Sequence, residues 1–117
     1  MRSRGVVLIS AFAIGIVVAI LLFSSMASAQ TAAAERGEAV YDHWCAPCHA
    51  AGPGHPGTQS LEVKYRGELQ AVLTERDDLT SEFVRTMVRE GILMMAPFRK
   101  TEVTDAELDD IAAYLTE

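Results

Sequence analysis

The stretch that decides the reading is Trp44-Cys45-Ala46-Pro47-Cys48-His49. Its two cysteines are the only two in the chain, two residues separate them, and a histidine follows at once. Cys-x-x-Cys-His is the attachment signature of a c-type haem. The spacing has a physical reason. Two thioethers placed this way reach the two vinyl groups of one porphyrin, and the next residue projects an imidazole onto the iron. Cys45 and Cys48 are therefore the expected covalent anchors, and His49 the expected proximal iron ligand, of one haem c per chain.

A second chemistry uses the same letters. Trp44-Cys45-Ala46-Pro47-Cys48 also matches the active-site motif of thioredoxin-like thiol–disulfide proteins. In an exported protein a disulfide is the ordinary fate of paired cysteines. A thioredoxin motif, however, follows a buried apolar strand and opens a helix. Here Gly37 to His43 precede the motif in a helical pattern, and three glycines and two prolines between Ala50 and Gly57 stop a helix from continuing. Both features favour haem. A zinc site would need more soft ligands than are present.

Upstream, Gly5 to Phe23 contains no charged residue, Arg2 and Arg4 precede it, and Ala27-Ser28-Ala29 forms a small-x-small site ahead of Gln30. Residues 1–29 read as a secretory signal peptide cleaved after Ala29. The apolar run is also long enough to span a bilayer, so an uncleaved anchor is the alternative. Either way Arg2 and Arg4 hold the N-terminus in the cytoplasm. The domain is then periplasmic, free or anchored to the inner membrane. Removing 29 of 117 residues leaves 88. Removing Arg2 and Arg4 from 10 basic residues leaves 8, against 16 acids, a net charge of −8. That excludes a nucleic-acid partner, which requires a basic face. A chain this short is no large α/β enzyme domain, and it is marginal without a staple. A covalent haem supplies one.

Residues 30–34 read as a short tether and residues 35–117 as the domain. A helix is expected from about Glu35 to Trp44, with Val40, Tyr41 and Trp44 on one face. Residues 52–57 read as a loop. Further helices are expected around Leu61–Tyr65, ending near Gly67, and weakly over Leu69–Glu75. Thr80 is a good N-cap, Gly91 a good terminator, and Phe83, Val84, Met87 and Val88 mark the buried face between them. Ile92 to Lys100, with Pro97, reads as a loop. Thr104 and Glu107 form a capping box, Val103 can staple onto Leu108, and Leu108, Ile111, Ala112 and Leu115 make the apolar stripe of a last helix. No strand pattern and no internal repeat is present. The fold class is all-α, four to five short helices around one covalent haem.

Three patterns together resemble a monohaem cytochrome c of the small bacterial class-I type: Gly37-x-x-x-Tyr41-x-x-x-Cys45-x-x-Cys48-His49, then Met95-Ala96-Pro97-Phe98, then Thr104 to Leu108 with Ala112 to Leu115. The resemblance covers nearly all of residues 35–117. It implies that the first and last helices cross closely, with Gly37 allowing the approach and Tyr41 packing on Tyr114. It also implies a sixth iron ligand from the methionine loop. Met87 fits the buried face of a helix, and His43 and His55 are too near His49 in sequence to reach the opposite haem face. Met94 and Met95 lie in the Pro-bounded loop. Family patterns put the ligand two or three residues before the Phe, which favours Met95, with Met94 the alternative. Ala96 stands where the family often has the proline. The carbonyl that receives the histidine ring N–H is implied at Pro56, with Pro53 the alternative. Arg99, Lys100, Tyr65 and Trp44 are candidates to meet the haem propionates.

With both axial positions filled the resemblance implies an electron carrier, not a catalyst. Its partners would be redox proteins: a dehydrogenase donor and a cytochrome or oxidase acceptor. The stretches 55–58, 88–91 and 95–102 are similar to cytochrome subunits of flavin-dependent hydroxylases for para-alkyl phenols, the 4-cresol dehydrogenase and eugenol hydroxylase types. A thiol–disulfide protein, a general diffusible carrier, and a haem sensor with a displaceable Met95 are the other readings.

Overall fold

The clearest start signal in the sequence makes the clearest helix end in the structure, a computed structural model that describes residues 3–116, with side chains at residue 19 and from residue 21 onward. Thr104 Oγ1 accepts from the Glu107 amide at 3.2 Å, and the Glu107 carboxylate accepts from the Thr104 amide at 2.8 Å. This reciprocal box opens the last helix, Asp105–Tyr114. Val103 and Leu108, the expected staple, are both buried.

Counting from the N-terminus, α1 is Ser3–Trp44, α2 Ala46–His49, α3 Pro56–Tyr65, α4 Ser81–Glu90 and α5 Asp105–Tyr114. A single 3₁₀ turn covers Leu73–Glu75. The described residues hold no strand, only an isolated bridge between Ile92 and Met95. The all-α class expected from the sequence is therefore the class observed.

Two compact units divide the chain, Met1–Thr31 and Ala32–Glu117. In the first, the hydroxyls of Ser25, Ser28 and Thr31 donate to carbonyls four residues back, at 3.0 to 3.2 Å. The leader, residues 1–29, lies for the most part outside the described side chains. Among the described residues no helix is long and apolar enough to cross a membrane. Residues 30–34, read as a tether, are helical, and Ala34 is already buried. Ala32, Ala33 and Ala34 are the best helix formers available, and nothing between them and Gly37 breaks the ladder.

The core of the second unit comprises Tyr41, Val84, Val88, Val103, Leu108, Ile111, Ala112 and Leu115. α4 begins as its sequence requires, with Thr80 Oγ1 accepting from the Phe83 amide at 3.2 Å, and ends at Gly91. Its buried face is narrower than expected. Val84 and Val88 are buried, while Phe83 is 46% exposed. Ion pairs Arg85–Asp109 at 2.6 Å and Arg89–Asp105 at 2.9 Å lace α4 to α5 on the outside.

α3 differs most from its sequence reading. It starts at Pro56, five residues before Leu61, because a proline at the first helical position gives up only an amide that would be unpaired anyway. It ends at Arg66, in the left-handed conformation at φ 53°, with its amide on the Glu62 carbonyl at 2.9 Å. Of the weak helix over Leu69–Glu75, only the 3₁₀ turn forms.

α1 and α5 touch backbone to backbone. A Cβ built on Gly37 would run into the carbonyl oxygen of Asp110 and stand 2.9 Å from Tyr114 Cβ. One turn on, the Tyr41 and Tyr114 rings pack with centroids 5.5 Å apart. One residue before, the Arg36 guanidinium grips both oxygens of Asp110 at 2.8 Å. The crossing implied by the resemblance is present, at the residues it named. Gly37→Ala is expected to lower stability by about 2 kcal/mol, overpacking outweighing the gain in helix propensity. Urea denaturation of Gly37→Ala beside Glu38→Ala, an exposed neighbour, checks this; equal midpoints would show that the crossing tolerates a methyl group.

Candidate haem-attachment site

Cys45 is the only residue between α1 and α2. Its amide still bonds to Tyr41 at 2.8 Å, as the last turn of α1, and its carbonyl already accepts from Cys48 and His49 at 3.0 and 2.8 Å, as the cap of α2. Pro47 fits the first turn of α2 because no amide is needed there. The Cys-x-x-Cys-His segment is thus one short helical turn docked on the end of α1. Both cysteines are unbridged.

A four-residue helix leaves its last carbonyls without helical donors. Here side chains from both flanks supply the donors. The Tyr41 hydroxyl, from α1, donates to the His49 carbonyl at 3.1 Å. The Thr58 hydroxyl, from α3, donates to the Ala50 carbonyl at 2.9 Å, and Thr58 is 1% exposed. His55 Nδ1 lies 3.2 Å from the Pro47 carbonyl. His55, read as a loop residue, stands directly before α3, and its ring leans on the motif. Burial pushes the Tyr41 phenol well above its ordinary pKa, so the donor stays protonated.

His49 is half-buried, and burial lowers its imidazole pKa, favouring the neutral ring. Its Nδ1 is enclosed and makes no hydrogen bond. The resemblance implied the Pro56 carbonyl, with Pro53 the alternative, as the acceptor for this nitrogen. The Pro56 carbonyl points along α3, where it accepts from Ser60 Oγ at 2.7 Å. Gly57 lies against the imidazole: a Cβ there would stand 2.7 Å from His49 Cε1, 2.8 Å from Nδ1 and 2.7 Å from the Cys48 carbonyl. The sequence reading took Gly57 for a loop breaker. Its real signal was position: a glycine directly after a helix-opening proline, eight residues past the motif histidine.

The methionine loop is anchored at both ends. The Phe98 amide donates to the Val88 carbonyl at 2.9 Å, and Arg89 donates to the Phe98 carbonyl at 3.1 Å. Between Gly91 and Pro97, Ile92 and Met95 exchange backbone bonds at 3.0 and 2.9 Å around a tight turn. Leu93 and Met94 form its tip and are 97% and 99% exposed. Met95 is half-buried and packs on the core, as do Cys45, Ala46 and Phe98. Trp44 meets the Phe98 ring edge-on at 5.8 Å. Met87, at the inner side of α4, is also half-buried.

Three of the four residues suggested for the propionates have polar or charged partners within the chain. Arg99 pairs with Glu102 at 3.0 Å, and Lys100 with Asp105 at 2.6 Å. Tyr65 receives Arg76, whose Nη1 donates to its hydroxyl at 2.9 Å and whose guanidinium lies 5.1 Å from its ring centroid. The Arg76 side chain is only 6% exposed and also binds Asp78, whose carboxyl that hydrogen bond, with the guanidinium's charge, holds below the usual range. Sequence reasoning missed Arg76, which sits in a charged run and has its aromatic partner eleven residues away.

The donor set fits a covalent haem. It offers two unbridged thiols one turn apart, a neutral half-buried imidazole beside them and a thioether on the same core. It suits thiol–disulfide exchange poorly. The reactive cysteine of such proteins has a lowered pKa, whereas burial, with Cys48 adding to it, pushes Cys45 up to about 11. No group of three or more His, Cys, Asp or Glu side chains among the described residues could hold a bare metal ion.

An all-α unit with this motif at the end of its first helix is a c-type haem domain. The comparison with known families agrees: the chain belongs to the family described as cytochrome c oxidase, cbb3-type, subunit III, which matches residues 32–115. No curated protein and no solved structure matches the chain. Membership establishes covalently bound haem c, with Cys45 and Cys48 at the required spacing, and haem-mediated electron transfer with redox proteins as partners.

Gly57→Ala is expected to displace the His49 ring. The haem-loaded variant should accumulate at a small fraction of the wild-type level, or show high-spin ferric absorption where the wild type is low-spin. A spectrum and yield like the wild type's would mean that α3 can retreat from the imidazole at little cost.

Proposed function

We propose that this domain is a periplasmic one-electron carrier whose iron is ligated by His49 and Met95, taking electrons from a dehydrogenase and passing them towards a terminal oxidase. The observation that carries the ligand pair is the contrast within the methionine turn. Met95 packs on the core that Cys45 also touches, while Met94 stands at the turn's tip, 99% exposed. Haem c, when bound, supplies a reversible ferric–ferrous couple. Everything else is the work of the chain. Cys45 and Cys48 fix the group to the end of α1. His49 offers a neutral nitrogen, with no proton to displace. Met95 offers a soft thioether, which favours ferrous iron and raises the potential. The Ile92–Met95 turn and the Val88–Phe98 bond hold that thioether against drift.

Periplasmic location is supported by the leader pattern of residues 1–29. On the acceptor side, the family description names an oxidase subunit, which supports a respiratory destination. On the donor side, the similarity of residues 55–58, 88–91 and 95–102 to cytochrome subunits of para-alkyl phenol hydroxylases supports a flavin dehydrogenase of that kind. There the flavoprotein takes a hydride from the substrate, and the cytochrome accepts its two electrons one at a time. The net charge of −8 after the leader favours a basic docking face on the partner and a salt-sensitive rate.

Met95→Ala should abolish the far-red ferric band that reports sulfur ligation, and Met94→Ala should retain it. The reverse pattern would make Met94 the ligand, and retention in both would remove the loop from the coordination sphere. The donor is tested by mixing the purified cytochrome with a reduced flavin dehydrogenase for alkyl phenols and following haem reduction by stopped flow. Rates no faster than with an unrelated cytochrome c would leave a general carrier as the donor-side reading.

A further inference from the structure

Tyr41 is 3% exposed, with its ring in the core and its hydroxyl at the far end of that ring, on the His49 carbonyl at 3.1 Å. The last carbonyls of α2 have no helical donor, so without this bond the His49 oxygen would be a partly buried acceptor with no partner in the chain. It would also be a negative dipole end on the ligand residue itself, and such a charge favours ferric iron over ferrous. The phenol itself cannot drift. Its ring is wedged against Tyr114, centroids 5.5 Å apart, just beyond the contact at Gly37.

We propose that Tyr41 is a positioning residue of the haem centre: through its hydrogen bond to the His49 carbonyl it fixes the histidine that would hold the iron and raises the reduction potential, linking the α1–α5 crossing to the iron. The inference rests on His49 as an iron ligand. It makes the helix crossing part of the electronic site as well as of the core. Disturbing the Tyr41 hydroxyl then changes how strongly the iron holds its electron, even where packing is unaltered.

The test uses the full-length, haem-loaded protein. Tyr41→Phe keeps the ring and removes the donor. At the wild type's midpoint potential, the ferric-to-ferrous ratio of Tyr41→Phe is expected to rise roughly threefold, in keeping with the loss of one hydrogen bond. Tyr114→Phe removes the hydroxyl of the neighbouring ring, which makes no bond to His49, and should leave the ratio unchanged. An unchanged ratio in Tyr41→Phe overturns the proposal, and so does an equal rise in Tyr114→Phe. Should Tyr41→Phe fail to accumulate with haem, proton NMR of the ferrous wild type decides. A slowly exchanging Tyr41 hydroxyl proton with a cross-peak to the His49 backbone is expected, and its absence overturns the proposal. A failure of the ligand reading is distinguishable, because the wild-type spectrum would lack low-spin, histidine-ligated haem before any variant was made.

Discussion

A hydrogen atom in place of a methyl group at residue 37 lets α1 lie on the backbone of α5, and the remaining geometry follows from that contact. With the helices this close, Tyr41 has one place to put its ring, between the helices and against Tyr114. Its hydroxyl then emerges at the end of α1, level with the turn that carries Cys45, Cys48 and His49. The haem motif is aimed less by its own five residues than by the crossing above it. The Arg36–Asp110 pair closes over the outside of the crossing. As a partly exposed ion pair it adds little energy, and its use is to hold the two helices in register.

The same economy governs the short helix α2. It is too brief to satisfy its own carbonyls, so the fold brings a phenol, a threonine hydroxyl and an imidazole to do it. The phenol comes from α1 and the other two from the start of α3, and together they fasten α1, α2 and α3 around the motif. A domain of this size buries a modest apolar core. Eight residues form it here, and Cys45, Ala46, Met95 and Phe98 lie half-covered at its border. One of the two expected attachment cysteines, Cys45, therefore lies at the border of the protein core.

Charge is distributed to a different end. Six of the eight basic residues after the leader, Arg36, Arg76, Arg85, Arg89, Arg99 and Lys100, are in ion pairs with the chain's own carboxylates. The excess acids, among them the exposed Glu35, Glu38 and Asp42 of α1, face solvent. Most of the positive charge is thus spent locally, and what a distant partner feels is the negative remainder. Such a field acts on encounter rates more than on fold stability.

Local rules were enough to read much of this from the sequence. The cap at Thr104, the terminator at Gly91, the stripe from Leu108 to Leu115 and the haem motif are all written within a few residues, where spacing and chemistry leave one reading. Gly37, Tyr41 and Tyr114 were placed by resemblance to a family, and the structure puts them in contact. The sequence did not reveal what depends on residues distant along the chain. Phe83 has the right spacing for the core, but the neighbouring elements cover only Val84 and Val88. Gly57 lies against the His49 ring, a contact set by how α3 docks on the motif and not by any local pattern. Arg76 is buried because Tyr65 and Asp78 converge on it. The sequence by itself determined the cofactor chemistry and the ends of α4 and the start of α5, because covalent attachment and capping are short-range. Only the tertiary structure decided which groups surround the histidine and which methionine turns inward, because those depend on how close two helices can lie.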